Sequence, residues 1–281
     1  MKGLHSLFRG ATALAVAATA AALTLAFALA QDATADNAAV NAAPNTAAKP
    51  ACTAPSELTR LDYTFKRVSQ KIAAGQPIKI VAIGSSSTAG AGASSPALTY
   101  PARLEAELRE LMPRVSVTVV NRGVNGEESR DMLERFERDV FPENPDMVIW
   151  QVGSNSVLRD RPLTDAPAPL NRGLKLLREH GADVVLMNPQ YAPKVFTKHD
   201  VEGMVHLMAV TAKEKSVNLF QRFAVMRYWQ LTESIPFASF LSSDELHLND
   251  WSYGCIARLL AGAIHDTATR STMTATVGAR R

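Results

Sequence analysis

IKIVAIG, residues 78–84, is a β-branched apolar run closed by glycine, and Ser85-Ser86-Ser87-Thr88-Ala89-Gly90 follows it at once. A half-buried strand alternates polar and apolar residues, whereas this run is apolar almost throughout. That predicts a strand covered on both faces. Four later runs share the character: VSVTVVN (115–121), DMVIWQVG (146–153), ADVVLMNP (182–189) and the short VNLF (217–220). Stretches with apolar residues at helical spacing separate them, at 101–111, 128–140, 170–181 and about 199–214. A further helix is expected over 56–74, before the first strand, and two more over about 221–231 and 249–266. Strands alternating with helices predict an α/β fold, a three-layer α/β/α sandwich around a central, mostly parallel five-stranded sheet with right-handed connections. In such sheets reactive groups gather beyond the carboxyl ends of the strands, so the residues after each run matter most.

Those residues carry the parts of an acyl-transfer site. The serine-rich turn after Gly84 presents a hydroxyl at the sheet edge. Asn121-Arg122-Gly123 ends the second run, where glycine lets a main-chain N–H face a cleft. Gly153-Ser154-Asn155-Ser156 follows the third and offers a side-chain amide. Asp244-Glu245-Leu246-His247 places a carboxylate and an imidazole within one turn. An alcohol nucleophile requires a neighbouring base, and the oxyanion it generates requires preorganised donors; serine, histidine, aspartate, a backbone N–H and an asparagine amide supply all of these.

Four blocks, IVAIGSSSTAGAG, VVNRGVNGEES, VIWQVGSNS and SSDELHLND, resemble those of the SGNH (GDSL-like) hydrolases and span residues 78–250. The resemblance implies a flavodoxin-like sandwich and a serine hydrolase acting on ester bonds. It makes Ser86 the nucleophile and a donor of one oxyanion N–H, with Gly123 giving the second N–H and Asn155 its side-chain amide. His247 is then the general base, steered by Asp244. Ser85 and Ser156 stand where the family more often has aspartate. Tyr100, Tyr191, Phe196 and the loop 89–98 are expected to shape the pocket.

Other chemistries fit the residues less well. Thr88 occupies the last position of a Gly-x-Ser-x-Gly elbow, no lysine follows the glycines as a phosphate-binding loop requires, and Gly90-Ala91-Gly92 lacks the third glycine of a dinucleotide site. His5, His180, His199, His206 and His265 show no ligand-like spacing with the cysteines, so neither a metal nor another cofactor is expected.

Lys2 and Arg9 precede a charge-free run that ends in Ala28-Leu29-Ala30, the pattern of a signal peptide (1–30) cleaved before Gln31, and the rival reading of the same run is an uncleaved membrane anchor. The protein is therefore expected to be exported, periplasmic or secreted, with no membrane span in the mature chain. Residues 31–54 are rich in Ala, Asn, Thr and Pro and read as a disordered linker, with the hydrolase domain over 55–266 and a disordered tail over 267–281. Of 30 basic residues, 28 remain outside the leader against 27 acidic ones, too even a balance for a nucleic-acid partner. Cys52 and Cys255 are the only thiols, and an oxidising compartment predicts a disulfide between them. The expected activity is hydrolysis of small acyl esters, O-acetyl groups on envelope or extracellular glycans. The same triad also suits an O-acyltransferase, a lysophospholipase or a thioesterase, and a catalytically silent glycan-binding protein is the reading from another class.

Overall fold

Five parallel strands form one sheet: β1 (Ile78–Gly84), β2 (Val117–Gly123), β3 (Met147–Gln151), β4 (Asp183–Met187) and β5 (Asn218–Phe220), in the order β2-β1-β3-β4-β5. The computed structural model describes residues 49–278, with side chains described to residue 270. The expected signal peptide and residues 31–48 of the expected linker lie outside the described residues. β1, β3 and β4 are central, which explains their apolar composition: Val81, Ile83, Val148, Ile149, Val185 and Leu186 are all fully buried. Helices Lys66–Ala73, Tyr100–Leu111 and Asp250–Gly278 pack together on one face. Helices Ser129–Glu134, Pro167–Glu179 and Val201–Lys215 cover the other. This is the expected three-layer sandwich.

Its strand order reverses beside β1, because the chain goes from β1 out to β2 and then returns to β3. Such a switch point opens a crevice at the carboxyl ends of the two inner strands. Register brings Gly84 opposite Gly123, so the turns after β1 and β2 leave the sheet side by side.

Three elements differ from the sequence reading. The helix expected over 56–74 is two pieces, Ser56–Thr59 and Lys66–Ala73, because the Asp183 carboxylate accepts the N–H groups of Lys66, Arg67 and Val68 and starts a new helix there. The helix expected over 128–140 breaks at Arg135, whose buried guanidinium donates to the Arg122 carbonyl and pairs with Glu127 and Asp139. The last helix does not end at 266 as expected but continues to Gly278, with Thr267 and Ala268 buried against the domain.

Cys52 and Cys255 are bridged, with Cα atoms 5.4 Å apart and a sequence separation of 203. The segment around Cys52 is also held by Trp251 Nε1, which donates to the Pro50 carbonyl, and by Trp229 Nε1, which donates to that of Thr53. Pro50 and Thr53, expected in the linker, are thus held against the domain.

Candidate active site

The turn after β1 carries three serines, and their surroundings separate them. Ser85 is buried, and both its N–H and its hydroxyl donate to Gln151 Oε1, at 2.9 and 3.1 Å. Ser87 is buried, with its Oγ unpaired. Ser86 begins the short helix Ser86–Ala89, and its Oγ lies 2.8 Å from His247 Nε2. On the other side of the ring, His247 Nδ1 and Asp244 Oδ2 are 2.5 Å apart. With Nδ1–H donating to the carboxylate, Nε2 is the basic nitrogen and faces the serine hydroxyl.

Asp244 is held by more than the ring. Its Oδ1 accepts the Ser242 hydroxyl at 2.7 Å and the N–H groups of Leu246 and His247 at 3.0 and 2.9 Å. Partial burial raises the carboxyl pKa, but the donors from His247, Ser242 and Leu246 outweigh it and hold the group well below the usual carboxylate range. It stays ionised at neutral and mildly acidic pH, as a group orienting an imidazole must. A bridge between Leu241 and Leu248 closes this loop at its base.

The loop 89–98 lies directly against it. A Cβ on Gly92 would sit 2.4 Å from the Leu248 carbonyl oxygen and 3.0 Å from the His247 Cβ, and Gly92 has φ +89°. Gly92→Ala therefore strains the backbone and pushes the His247 loop outward. We expect a fall in turnover of about 10²-fold, the scale of a 1 Å misplacement. Steady-state kinetics on the folded variant check it.

Asn155, in the helix Ser154–Leu158, donates through Nδ2 to the Glu127 carbonyl at 2.8 Å. An amide nitrogen carries two hydrogens, so one remains for a ligand. Gly123 departs from expectation. Its N–H donates to the side-chain oxygen of Asn121 at 2.9 Å and is engaged. The need for glycine there is close packing, since a Cβ would lie 2.1 Å from the Ala89 nitrogen. Three residues on, the Gly126 N–H has no acceptor among the described residues. That glycine adjoins Glu127, whose carbonyl already holds Asn155.

Sequence reading passed over several residues that build the site. Gln151, fully buried, gathers the Ser85 N–H, the Ser85 hydroxyl and the Thr88 hydroxyl, and so anchors the turn that carries Ser86. It was visible as the one polar residue inside VIWQVG. Ser156 donates to Glu128 Oε2 at 3.1 Å, so a carboxylate from another loop lies where the family more often carries its own. Tyr100, expected to line the pocket, is instead buried beneath the Ser86 turn, its hydroxyl 3.3 Å from Thr88 Oγ1 and its pKa pushed up to about 12 by burial. Tyr191 and Phe196 do stack beside the His247 loop, with ring centres 4.7 Å apart and Phe237 close to both. The Lys194 N–H donates to the Glu245 carbonyl and ties that aromatic shelf to the loop. Among the described residues no group of His, Cys, Asp or Glu is placed to hold a metal ion, and no helix is long and apolar enough to cross a membrane.

Residues 51–270 match the sequence profile of the Non-GDSL lipase-like family. The chain belongs to that family. Its five-stranded parallel sheet between helical layers is the fold it shares with solved GDSL-type esterases. The chain is 24% identical over 189 residues to an arylesterase of Vibrio mimicus, a match covering 65% of this chain and 86% of that relative. A shorter stretch of 60 residues is 37% identical to an acetylxylan esterase of Geobacillus stearothermophilus, covering 21% of this chain and 27% of that one. Among solved structures, a two-domain esterase active on acetylated mannans, crystallised with mannopentaose, superposes with a TM-score of 0.63 at 19% identity. That match covers 75% of this chain and only 56% of the two-domain esterase. Axe2, an acetylxylan esterase from Geobacillus stearothermophilus, superposes with a TM-score of 0.58 at 23% identity, covering 68% of this chain and 95% of that one. At these identities the structural likeness speaks for the fold.

Proposed function

We propose that the protein is an exported serine esterase that removes small acyl groups, acetyl above all, from glycans. The observation that carries the reading is the continuous hydrogen-bonded line Ser86 Oγ–His247 Nε2 and His247 Nδ1–Asp244 Oδ2. Ser86 Oγ bonds to the ester carbonyl carbon while its proton passes to His247 Nε2. The carbonyl oxygen becomes an oxyanion facing the Ser86 N–H, the Gly126 N–H and the second hydrogen of Asn155 Nδ2. His247 then returns the proton to the departing sugar oxygen, leaving an acyl-serine. Water, deprotonated by the same nitrogen, releases the acid and restores the hydroxyl. Gly126 thus takes the role that the sequence gave to Gly123.

Relatives support the ester and the glycan. The arylesterase and the acetylxylan and acetylmannan esterases all act on esters, and Axe2 has been solved as catalytic mutants with a serine or a histidine replaced by alanine. Export is supported by the leader pattern at 1–30 and by the Cys52–Cys255 bridge. Acetate release from O-acetylated xylo- and manno-oligosaccharides, beside an acetyl-ester dye, tests the proposal; no release from any of them rejects it. Asn155→Ala is expected to lower kcat by about 10²- to 10³-fold with KM nearly unchanged, because its donor acts on charge that develops only in the transition state. A loss confined to KM argues for a ground-state binding role instead.

A further inference from the structure

We propose that Gln190, held by the buried guanidinium of Arg222, is a positioning residue that locks the short helix carrying Asn155 and the loop carrying His247 into one register. The inference rests on the esterase reading above, in which those two residues act on the same reacting centre. Gln190 stands three residues beyond the end of β4 and is 2% exposed. Its Oε1 accepts the Ser154 hydroxyl at 2.7 Å and Arg222 Nη2 at 2.9 Å, and its Nε2 donates to the Leu246 carbonyl at 3.3 Å. Two donors on one atom fix which end of the amide is oxygen. Ser154 immediately precedes Asn155, and Leu246 immediately precedes His247. One side chain therefore joins the neighbour of the expected oxyanion donor to the neighbour of the expected base.

Arg222 is what keeps that amide from turning. It is 1% exposed and meets neutral oxygens, with Nε donating to the Asn188 carbonyl at 3.1 Å and Nη2 to Gln190. Burial lowers its pKa to about 10, against the opposing influence of the Tyr100 and Tyr253 hydroxyls. An apolar side chain of similar volume would fill the space without the cost of burying a charge. It would not hold Gln190 Oε1, and it would not polarise the amide toward donation to Leu246. Only a group that accepts at one end and donates at the other serves the bridge. A glutamate at 190 would keep the contacts with Ser154 and Arg222 but set a carboxylate oxygen against the Leu246 carbonyl.

The test uses Gln190→Met, Gln190→Glu and Arg222→Met in the full chain. It reads kcat and KM, thermal unfolding, and the Nδ1 proton resonance of His247 recorded without substrate. We expect kcat to fall about 10- to 100-fold in each folded variant with KM within about twofold, on the scale of catalytic groups displaced by a fraction of an ångström to 1 Å. We also expect a shifted or exchange-broadened His247 resonance, which a merely structural role would not produce. If Gln190→Met does not fold, Gln190→Glu decides by the same readouts. A folded Gln190 variant with kcat within twofold of the parent, or with an unmoved His247 resonance, overturns the proposal. Ser86→Ala is measured alongside: its full activity would reject the esterase reading itself, whereas an inactive Ser86→Ala beside an active Gln190→Met rejects only the positioning role.

Discussion

Ser86→Ala is expected to cut ester turnover by at least about 10³-fold while the protein stays folded. The size follows from what the substitution removes. Without the hydroxyl there is no acyl-serine, and His247 is left to activate water at a position built for an attached oxygen. What survives is the contribution of the oxyanion donors and of substrate binding, which in serine hydrolases still exceeds the uncatalysed rate. His247→Ala should cost about as much, and the double variant little more, because the two act as one unit. The fold should be almost indifferent, since the Ser86 hydroxyl is half-buried and hydrogen-bonds His247, while the turn is anchored by Ser85 and Thr88 on Gln151. Initial rates with an acetyl-ester dye, together with mass spectrometry after a serine-directed phosphonate, read both halves. Equal rates in variant and parent, or labelling of Ser85 or Ser87 in place of Ser86, would remove Ser86 from the mechanism.

The sequence carried the sheet well because a strand covered on both faces has one compositional signature, and β1, β3 and β4 each show it within a residue or two of their ends. It carried the proposed triad of Ser86, His247 and Asp244 because Ser86 stands in the turn that follows the glycine closing β1 and Asp244 lies three residues from His247. What it did not carry is set by partners far along the chain. Asp183 starts a new helix at Lys66 by reaching residues 66–68 from 115 to 117 positions away. Nothing in the sequence marks Gln190 and Arg222 until the one is seen joined to Ser154 and Leu246 and the other bonded to it. Gly123 and Gly126 look alike in the sequence; in the structure the Asn121 side chain takes the Gly123 N–H, whereas Gly126 turns at φ +80° with its N–H unclaimed among the described residues. The continuation of the last helix past 266 likewise depends on the buried Thr267 and Ala268, not on the Thr- and Ala-rich composition that suggested a tail.

Breaking the Cys52–Cys255 bridge is expected to lower the unfolding free energy by about 3–5 kcal/mol, a large share of the roughly 5–15 kcal/mol that keeps a domain folded. The bridge closes 203 residues, and in the chain-entropy description a loop of that length removes about 5 kcal/mol of denatured-state freedom. Little of this is returned on the native side. Trp251 and Trp229 still donate to the Pro50 and Thr53 carbonyls when the sulfurs part, so the segment stays docked and the native state keeps its contacts. The loss therefore lies almost wholly in the unfolded ensemble, which makes it separable from activity. Cys255 is buried in the last helix, five residues beyond Asp250, whose carboxylate accepts the N–H and hydroxyl of Ser94 in the loop against His247. With that helix still packed on Tyr100–Leu111, the double Cys→Ala variant should keep kcat within a few-fold at low temperature while its denaturant midpoint drops. Urea unfolding of parent and variant, with and without reductant, measures the difference. A parent whose midpoint ignores reductant, after mass spectrometry has shown both thiols released, would mean that the bridge contributes nothing to stability and that the tryptophan contacts alone hold the segment.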